Sequence, residues 1–93
     1  MVLQARLSIT GRVQGVGYRD WLVGRARQLS LDGWVRNRVD GSVEAVIVGE
    51  ESAIGRMIDA CRHGPPLARV EAVDVEPLDL DVLPQGFTRL PTA

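Results

Sequence analysis

The chain has 93 residues, a formal net charge of -1 at pH 7 and an ordinary globular composition with few aromatic residues. This length predicts one small domain, residues 1–93, with room for a single hydrophobic core. The balanced charge gives no electrostatic reason to expect nucleic acid or an anionic membrane as a partner, and no apolar run is long enough to span a membrane.

The N-terminus and the cysteine content favour a cytoplasmic location. No basic segment leads into a long apolar run at the N-terminus, so the sequence shows no export signal. Cys61 is the only cysteine, which excludes an internal disulfide and fits a reducing compartment.

Residues 3–10 alternate apolar and polar side chains, which predicts a strand with one buried face and one solvated face. A glycine-rich stretch, residues 11–19, follows directly. Glycine allows successive backbone N–H groups to turn inward, and such a concavity at the start of a helix attracts anions. Arg19 adds a planar cation that can bind phosphate through two hydrogen bonds. The stretch therefore predicts a phosphate-binding loop, with an ordinary glycine-rich connection as the alternative.

Two known phosphate loops do not fit this stretch. A nucleotide-binding P-loop needs Gly-Lys followed by Ser or Thr, and residues 11–19 contain neither. A dinucleotide-binding loop needs a third glycine three positions after Gly17, where Asp20 stands. Nucleotide binding through either motif is therefore excluded.

Apolar side chains recur at helical spacing after the loop and predict a first helix over residues 18 to about 30. No Ser, Thr, Asp or Asn precedes its first turn as a cap, so a bound anion could take that place. Asp20 suits the helix dipole, although its charge would repel a bound phosphate if it pointed inward. The members of the stripe are Tyr18, Leu22, Ala26 and Leu29.

The next two strands, residues 33–38 and 42–49, form a hairpin around Asp40-Gly41. A three-residue loop at 39–41 is favoured over a two-residue turn because it pairs Val35 with Ala45 and places the apolar residues on one face.

The same register places Asn37 on the apolar, helix-covered side of the sheet. An unpaired amide there would cost about 1–3 kcal/mol. Asn37 is therefore either a structural amide bonded to a nearby turn or an amide directed at a ligand or water in the glycine loop. The second interpretation requires the first and third strands to be neighbours.

Residues 50–63 predict a second helix that stops at Gly64 and the two prolines after it. Cys61 lies in the apolar stripe of this helix and is interpreted as a core residue, not a nucleophile. His63 has no second histidine with which to form a metal site or to activate the thiol, and it is interpreted as a favourable charge at a helix end.

The remaining chain supplies a strand over 67–77 and a short edge strand at 86–88. Alternation changes parity between Ala72 and Val73, which predicts a bulge or bend there. The order strand-helix-strand-strand-helix-strand, with right-handed crossovers, predicts an α+β fold: a ferredoxin-like split βαβ sandwich (βαββαβ) with two helices on one face of an antiparallel sheet.

Four segments resemble the motifs of the acylphosphatases in sequence, order and spacing. They are Gly11-Arg-Val-Gln-Gly-Val-Gly-Tyr-Arg19, Gly33-Trp-Val-Arg-Asn37, Asp40-Gly41 and Gly64-Pro-Pro-Leu-Ala-Arg-Val70. The C-terminus departs from the family pattern, because Arg89 stands where an apolar residue is usual.

The resemblance implies hydrolysis of the carboxyl-phosphate bond of a small acyl phosphate by a catalytic pair, Arg19 and Asn37. Arg19 would bind the phosphate and Asn37 would orient the attacking water. The implied enzyme uses no metal or cofactor, and we expect a monomer. The implied phosphate-binding residues are Gln14, Gly15, Val16, Gly17, Tyr18 and Arg19.

Two other classes of function stay open at this point. A phosphate- or anion-sensing module could use the same loop without turnover. An RNA-binding module of similar topology would display aromatic residues on its open sheet face, but the low aromatic content and the polar residues Gln4, Arg6 and Ser8 on that face argue against it.

Overall fold

The computed structural model describes all 93 residues, and the predicted order of strands and helices is confirmed. The boundaries lie within a few residues of the predicted ones. The elements are β1 (Val2–Arg12), α1 (Tyr18–Gln28), β2 (Asp32–Asn37), β3 (Val43–Glu50), α2 (Glu51–His63), β4 (Arg69–Pro77) and β5 (Phe87–Arg89).

The five strands form one sheet in the order β4-β1-β3-β2-β5. The first four pair antiparallel, as predicted for a ferredoxin-like α+β fold. β5 adds a parallel edge strand beside β2, so the complete sheet is mixed. β1 and β3 are neighbours, which satisfies the condition for Asn37 to face the glycine loop.

One hydrophobic core lies between the sheet and the two helices. It collects the alternate residues of β1 that the sequence pattern assigned to the buried face, together with the helix-facing residues of β2 and β3. Both helices contribute their apolar stripes, which places them on the same face of the sheet. The fully buried members include Leu7, Ile9, Leu22, Ile47 and Met57.

The β2–β3 hairpin has the predicted register. Val35 pairs with Ala45 and Asn37 pairs with Val43, and the Arg38 N–H donates to the Ser42 carbonyl at 2.8 Å. Asn37 is consequently on the core side of the sheet, where only 8% of it is exposed.

The predicted irregularity in the fourth strand is a β-bulge, located slightly before the expected position. Thr10 pairs with Ala72 while Gly11 pairs with Val70, which leaves Glu71 as the extra residue. Gly11 has φ 118, and a Cβ there would lie 2.2 Å from the Arg69 carbonyl oxygen. Only glycine allows this close approach of the two strands.

Residues 78–86 connect β4 to β5, which lie at opposite edges of the sheet. The N–H groups of Leu78 and Leu80 donate to the backbone and side-chain oxygens of Gln4, so this segment runs along the face opposite the helices. Val46 and Val48 on that face are nearly fully buried.

Neither of the two helices is long and apolar enough to cross a membrane.

Candidate active site

The loop between β1 and α1 presents a row of backbone N–H groups without protein acceptors. Gly15 and Gly17 have φ 72 and 79, which are left-handed values that favour glycine. Gly17 is the residue before α1, and no side chain caps the helix. No N–H from Gln14 to Asp20 donates to an acceptor within the protein. The loop and the first helical turn therefore offer these donors to an anion.

Gln14 attaches this loop to the β2–β3 hairpin. Its Nε2 donates to the carbonyl oxygens of Arg38 at 2.8 Å and Ser42 at 2.9 Å. The amide therefore satisfies two carbonyl groups at the end of the hairpin that carries Asn37. Because the side-chain amide N–H groups of Gln14 already donate to these two carbonyl oxygens, its backbone N–H is the donor that could reach a phosphate.

Tyr18 fixes the first turn of α1 to α2. Its hydroxyl donates to the Cys61 carbonyl oxygen at 2.6 Å, and its ring packs against Trp21 at 5.3 Å between centroids. Burial raises the pKa of the Tyr18 hydroxyl well above its ordinary value. Tyr18 is thus a buried anchor, and only its backbone is available to the loop.

Cys61 is a core residue, as the sequence predicted. Its side chain is fully buried, and burial raises the pKa of the thiol to about 12. A thiol in this state is a poor nucleophile at neutral pH.

A cavity of about 70 Å³ brings together residues from three separate segments of the chain. The glycine loop and α1 form one wall, β2 contributes Asn37 and β5 contributes Arg89. Val16 does not line the cavity, because its side chain packs against the core while its N–H lies in the unpaired row. The lining residues are Val13, Gly15, Gly17, Tyr18, Arg19, Asp20, Asn37 and Arg89.

Arg19 and Asn37, the two predicted catalytic residues, both line this cavity, and neither side chain has a hydrogen-bond partner in the protein. Arg19 is half-buried and makes no hydrogen bond or ion pair through its guanidinium. The Oδ1 of Asn37 is buried without a hydrogen-bond partner. The Asn37 side chain makes no bond to a turn, whereas its backbone carbonyl accepts the Ala93 N–H at 3.0 Å and holds the strand in place.

Two further charged residues, Asp20 and Arg89, meet at the cavity. Arg89 donates through Nη1 to Asp20 Oδ1 at 2.6 Å. The sequence indicated both residues singly, Asp20 as a charge that could repel phosphate and Arg89 as a charge at a usually apolar position. Their contact joins β5 to α1, and no local pattern predicts it.

A larger cavity of about 420 Å³ lies between the two helices, away from the glycine loop. Its polar lining includes Arg25, Arg56, Asp59 and His63. It contains none of the predicted site residues. No group of three or more His, Cys, Asp or Glu side chains comes together anywhere in the structure.

Comparison with known proteins gives a consistent result at the levels of family, sequence and fold. A family model described as Acylphosphatase matches residues 5–88. The acylphosphatase of Rhizorhabdus wittichii is 52% identical over 87 residues, covering 94% of this chain and 87% of that protein. The acylphosphatase of Acidiphilium cryptum is 55% identical over 69 residues, covering 74% of this chain and 76% of that protein. The crystal structure of acylphosphatase from Bacillus subtilis superimposes with a TM-score of 0.90 at 35% identity, covering 97% of this chain and 99% of that chain.

Proposed function

The chain belongs to the acylphosphatase family, and from this premise we propose how its residues hydrolyse an acyl phosphate. The reaction converts a small acyl phosphate and water into a carboxylate and inorganic phosphate. The family, the fold and the named relatives favour this enzyme over a sensing module that binds phosphate without turnover.

The observation that carries the mechanism is the set of unsatisfied polar groups around one small cavity. The unpaired N–H groups from Gln14 to Asp20 and the guanidinium of Arg19 would surround the phosphoryl oxygens. The dipole of α1 adds to the attraction, because the helix begins at this loop. These donors would stabilise the negative charge on the equatorial oxygens in the transition state.

Asn37 would position the attacking water. Its Oδ1 lacks a partner in a nearly fully buried residue, and leaving such an acceptor unpaired is costly unless a ligand or water supplies the donor. A water that donates to Oδ1 would be held beside the phosphorus and opposite the leaving group. The water oxygen forms the new bond to phosphorus as the bond to the acyl oxygen breaks, and the water proton passes to the phosphate of the substrate.

The leaving group explains why this site can operate without a general acid or a metal. An acyl phosphate releases a carboxylate whose conjugate acid has a pKa of about 4, like that of Asp or Glu. Such a group departs as the anion without prior protonation. An alkyl phosphate monoester releases a much more basic alkoxide and would need a general acid, whereas the one carboxyl residue of the cavity lining, Asp20, is ion-paired with Arg89.

We further propose that the enzyme acts as a cytoplasmic monomer without a cofactor. The solitary buried thiol of Cys61 suits a reducing compartment. Arg19 and Asn37, the two proposed catalytic residues, line the same cavity within a single chain.

The test is release of inorganic phosphate from benzoyl phosphate in the presence of EDTA, with glycerol phosphate as the monoester control. We expect release from benzoyl phosphate alone. Binding of inorganic phosphate without any release from benzoyl phosphate would identify a sensing module. Loss of activity on addition of EDTA would contradict the metal-free mechanism.

A further inference from the structure

We propose that Arg89 is a positioning residue of the phosphate site that acts by offsetting the charge of Asp20. The inference rests on the proposed function for the identity of the ligand. It follows from the one ion pair that lines the cavity, Asp20 Oδ1 to Arg89 Nη1 at 2.6 Å.

The negative charge of Asp20 opposes anion binding in the cavity. Its place in the first turn of α1 is favourable for the helix dipole. Asp20 also lines the cavity in which an anion with up to two negative charges would bind, and its carboxylate lies beside Arg89, another lining residue. At a separation of about 6 Å, even the dielectric constant of water leaves a repulsion that weakens binding of a dianion by about tenfold.

Arg89, which belongs to β5, offsets this negative charge by direct contact with Asp20. β5 is held in register beside β2, because Arg89 pairs with Val35 and the Leu90 N–H donates to the Val35 carbonyl at 2.8 Å. The side chain of Phe87 is buried in the core and anchors the start of the strand. The backbone of Arg89 is therefore fixed close to Asn37, and its guanidinium reaches Asp20 in α1.

The pair determines the net charge of the cavity lining. Arg19, Asp20 and Arg89 are its charged members. With Arg89 present, the net charge of these three residues is positive. Without Arg89, the positive charge of Arg19 and the negative charge of Asp20 cancel. Both members of the ion pair are substantially exposed, with 74% of the Asp20 side chain and 44% of the Arg89 side chain accessible. The pair therefore contributes little to stability, and its effect should be on anion binding.

The experiment is a double-mutant cycle with Arg89→Gln, Asp20→Asn and the combined variant. The dissociation constant of inorganic phosphate is measured by calorimetry, and kcat and KM are measured with benzoyl phosphate. Arg56→Gln, which removes one positive charge from α2 outside this cavity, is the charge-matched control. Because the phosphate measurement needs no turnover, it decides the inference even if the wild type fails to hydrolyse benzoyl phosphate.

We expect Arg89→Gln to raise the dissociation constant of phosphate and the KM by about tenfold at low salt, with kcat within about twofold of wild type. Asp20→Asn should bind phosphate at least as tightly as wild type. The combined variant should recover to within about threefold of wild type. The defect of Arg89→Gln should shrink in 1 M salt, where the Debye length is about 3 Å.

Each other outcome contradicts the inference. If the combined variant binds as weakly as Arg89→Gln, then Arg89 contacts the phosphate directly. If Arg89→Gln binds like Arg56→Gln, the ion pair has no part in the site. If Arg89→Gln does not fold, weaker phosphate binding by Asp20→Asn overturns the proposal by itself.

Discussion

Two buried polar side chains, Asn37 and Glu44, lie on neighbouring strands and face opposite sides of the sheet. Glu44 is 4% exposed, and its carboxylate accepts hydrogen bonds from Arg36 at 2.7 Å, from Arg6 and, more weakly, from Arg38. Asn37 is 8% exposed, and its side chain makes no hydrogen bond. In the closed cluster, Glu44 and the arginines around it form hydrogen bonds with one another. In the open cluster, which consists of Asn37, Arg19 and the loop N–H groups, these polar groups have no partner in the protein.

Polar side chains that are paired within the protein stabilise the fold, whereas unpaired ones are available to bind a ligand. The arginines around Glu44 are occupied by it, and Arg36 also lies over the ring of Trp34 at 4.8 Å. Arg19 and the loop N–H groups have no such partners. Among the groups of the open cluster, the Oδ1 of Asn37 is buried and unpaired, and a fold retains such a costly group where a ligand supplies the missing bond. The open cluster is therefore the place to expect phosphate, and the closed cluster the place to expect stability.

Arg19→Ala should have the largest effect on activity. Because the Arg19 guanidinium has no protein partner and Arg19 lines the proposed phosphate site, its loss should reduce kcat/KM by about 10³-fold while the free energy of unfolding stays nearly unchanged. Steady-state assays with benzoyl phosphate and urea unfolding check both expectations. Arg36→Ala is the matched control and should lose stability while keeping kcat. Equal loss of activity in the two variants would contradict the assignment of catalysis to Arg19 and of stability to the arginines around Glu44.

Asn37→Ala should reduce kcat by about 10²-fold and change the inhibition constant of inorganic phosphate by less than threefold. Removing an amide that only positions water affects the transition state more than phosphate binding. Thermal unfolding should show no loss of stability, because the substitution deletes an unpaired acceptor. The opposite result would be a destabilised variant in which each folded molecule keeps the wild-type kcat. That result would identify Asn37 as a structural amide.

Glu44→Gln should lower the free energy of unfolding by about 1–3 kcal/mol, because it weakens charge-assisted hydrogen bonds to a buried acceptor. The kcat should stay within about twofold of wild type. Glu76→Gln is the control, since Glu76 is exposed and pairs with the same Arg6, and it should cost less than about 1 kcal/mol. A large loss of kcat in Glu44→Gln with normal stability would contradict a purely structural role.

The acid dependence of stability should follow Glu44 as well. Burial raises the pKa of this carboxyl, but the hydrogen bonds from Arg36 and Arg6 outweigh burial and hold the pKa below its ordinary value. Its contribution is therefore fully present above the unfolded pKa of about 4.3 and is lost as the pH falls through the lower folded pKa. Urea unfolding between pH 7 and pH 3 should show the difference between wild type and Glu44→Gln shrinking at the acid end. If the difference in free energy of unfolding between wild type and Glu44→Gln stays constant from pH 7 to pH 3, the ionisation of Glu44 does not cause the acid dependence.

The helices, the central strands and the hairpin register follow from the sequence because they depend on spacing along the chain. Alternation in β1 and the helical stripe of α2 each require one side of the element to be buried. The position of Asn37 followed from matching apolar residues across β2 and β3, which is a local pairing problem. The bulge at Glu71 was predicted approximately, since a parity change shows that a residue is inserted but does not fix which one.

The sequence by itself determined the fold class, the glycine loop before α1 and the buried side of the sheet that carries Asn37. The tertiary structure alone decided that β5 runs parallel to β2, that residues 78–86 run along the open face, and that Arg89 meets Asp20. The physical reason is sequence distance. Periodicity reports which side of an element is apolar, but contacts between charged residues far apart in the chain depend on how the packed elements are finally placed.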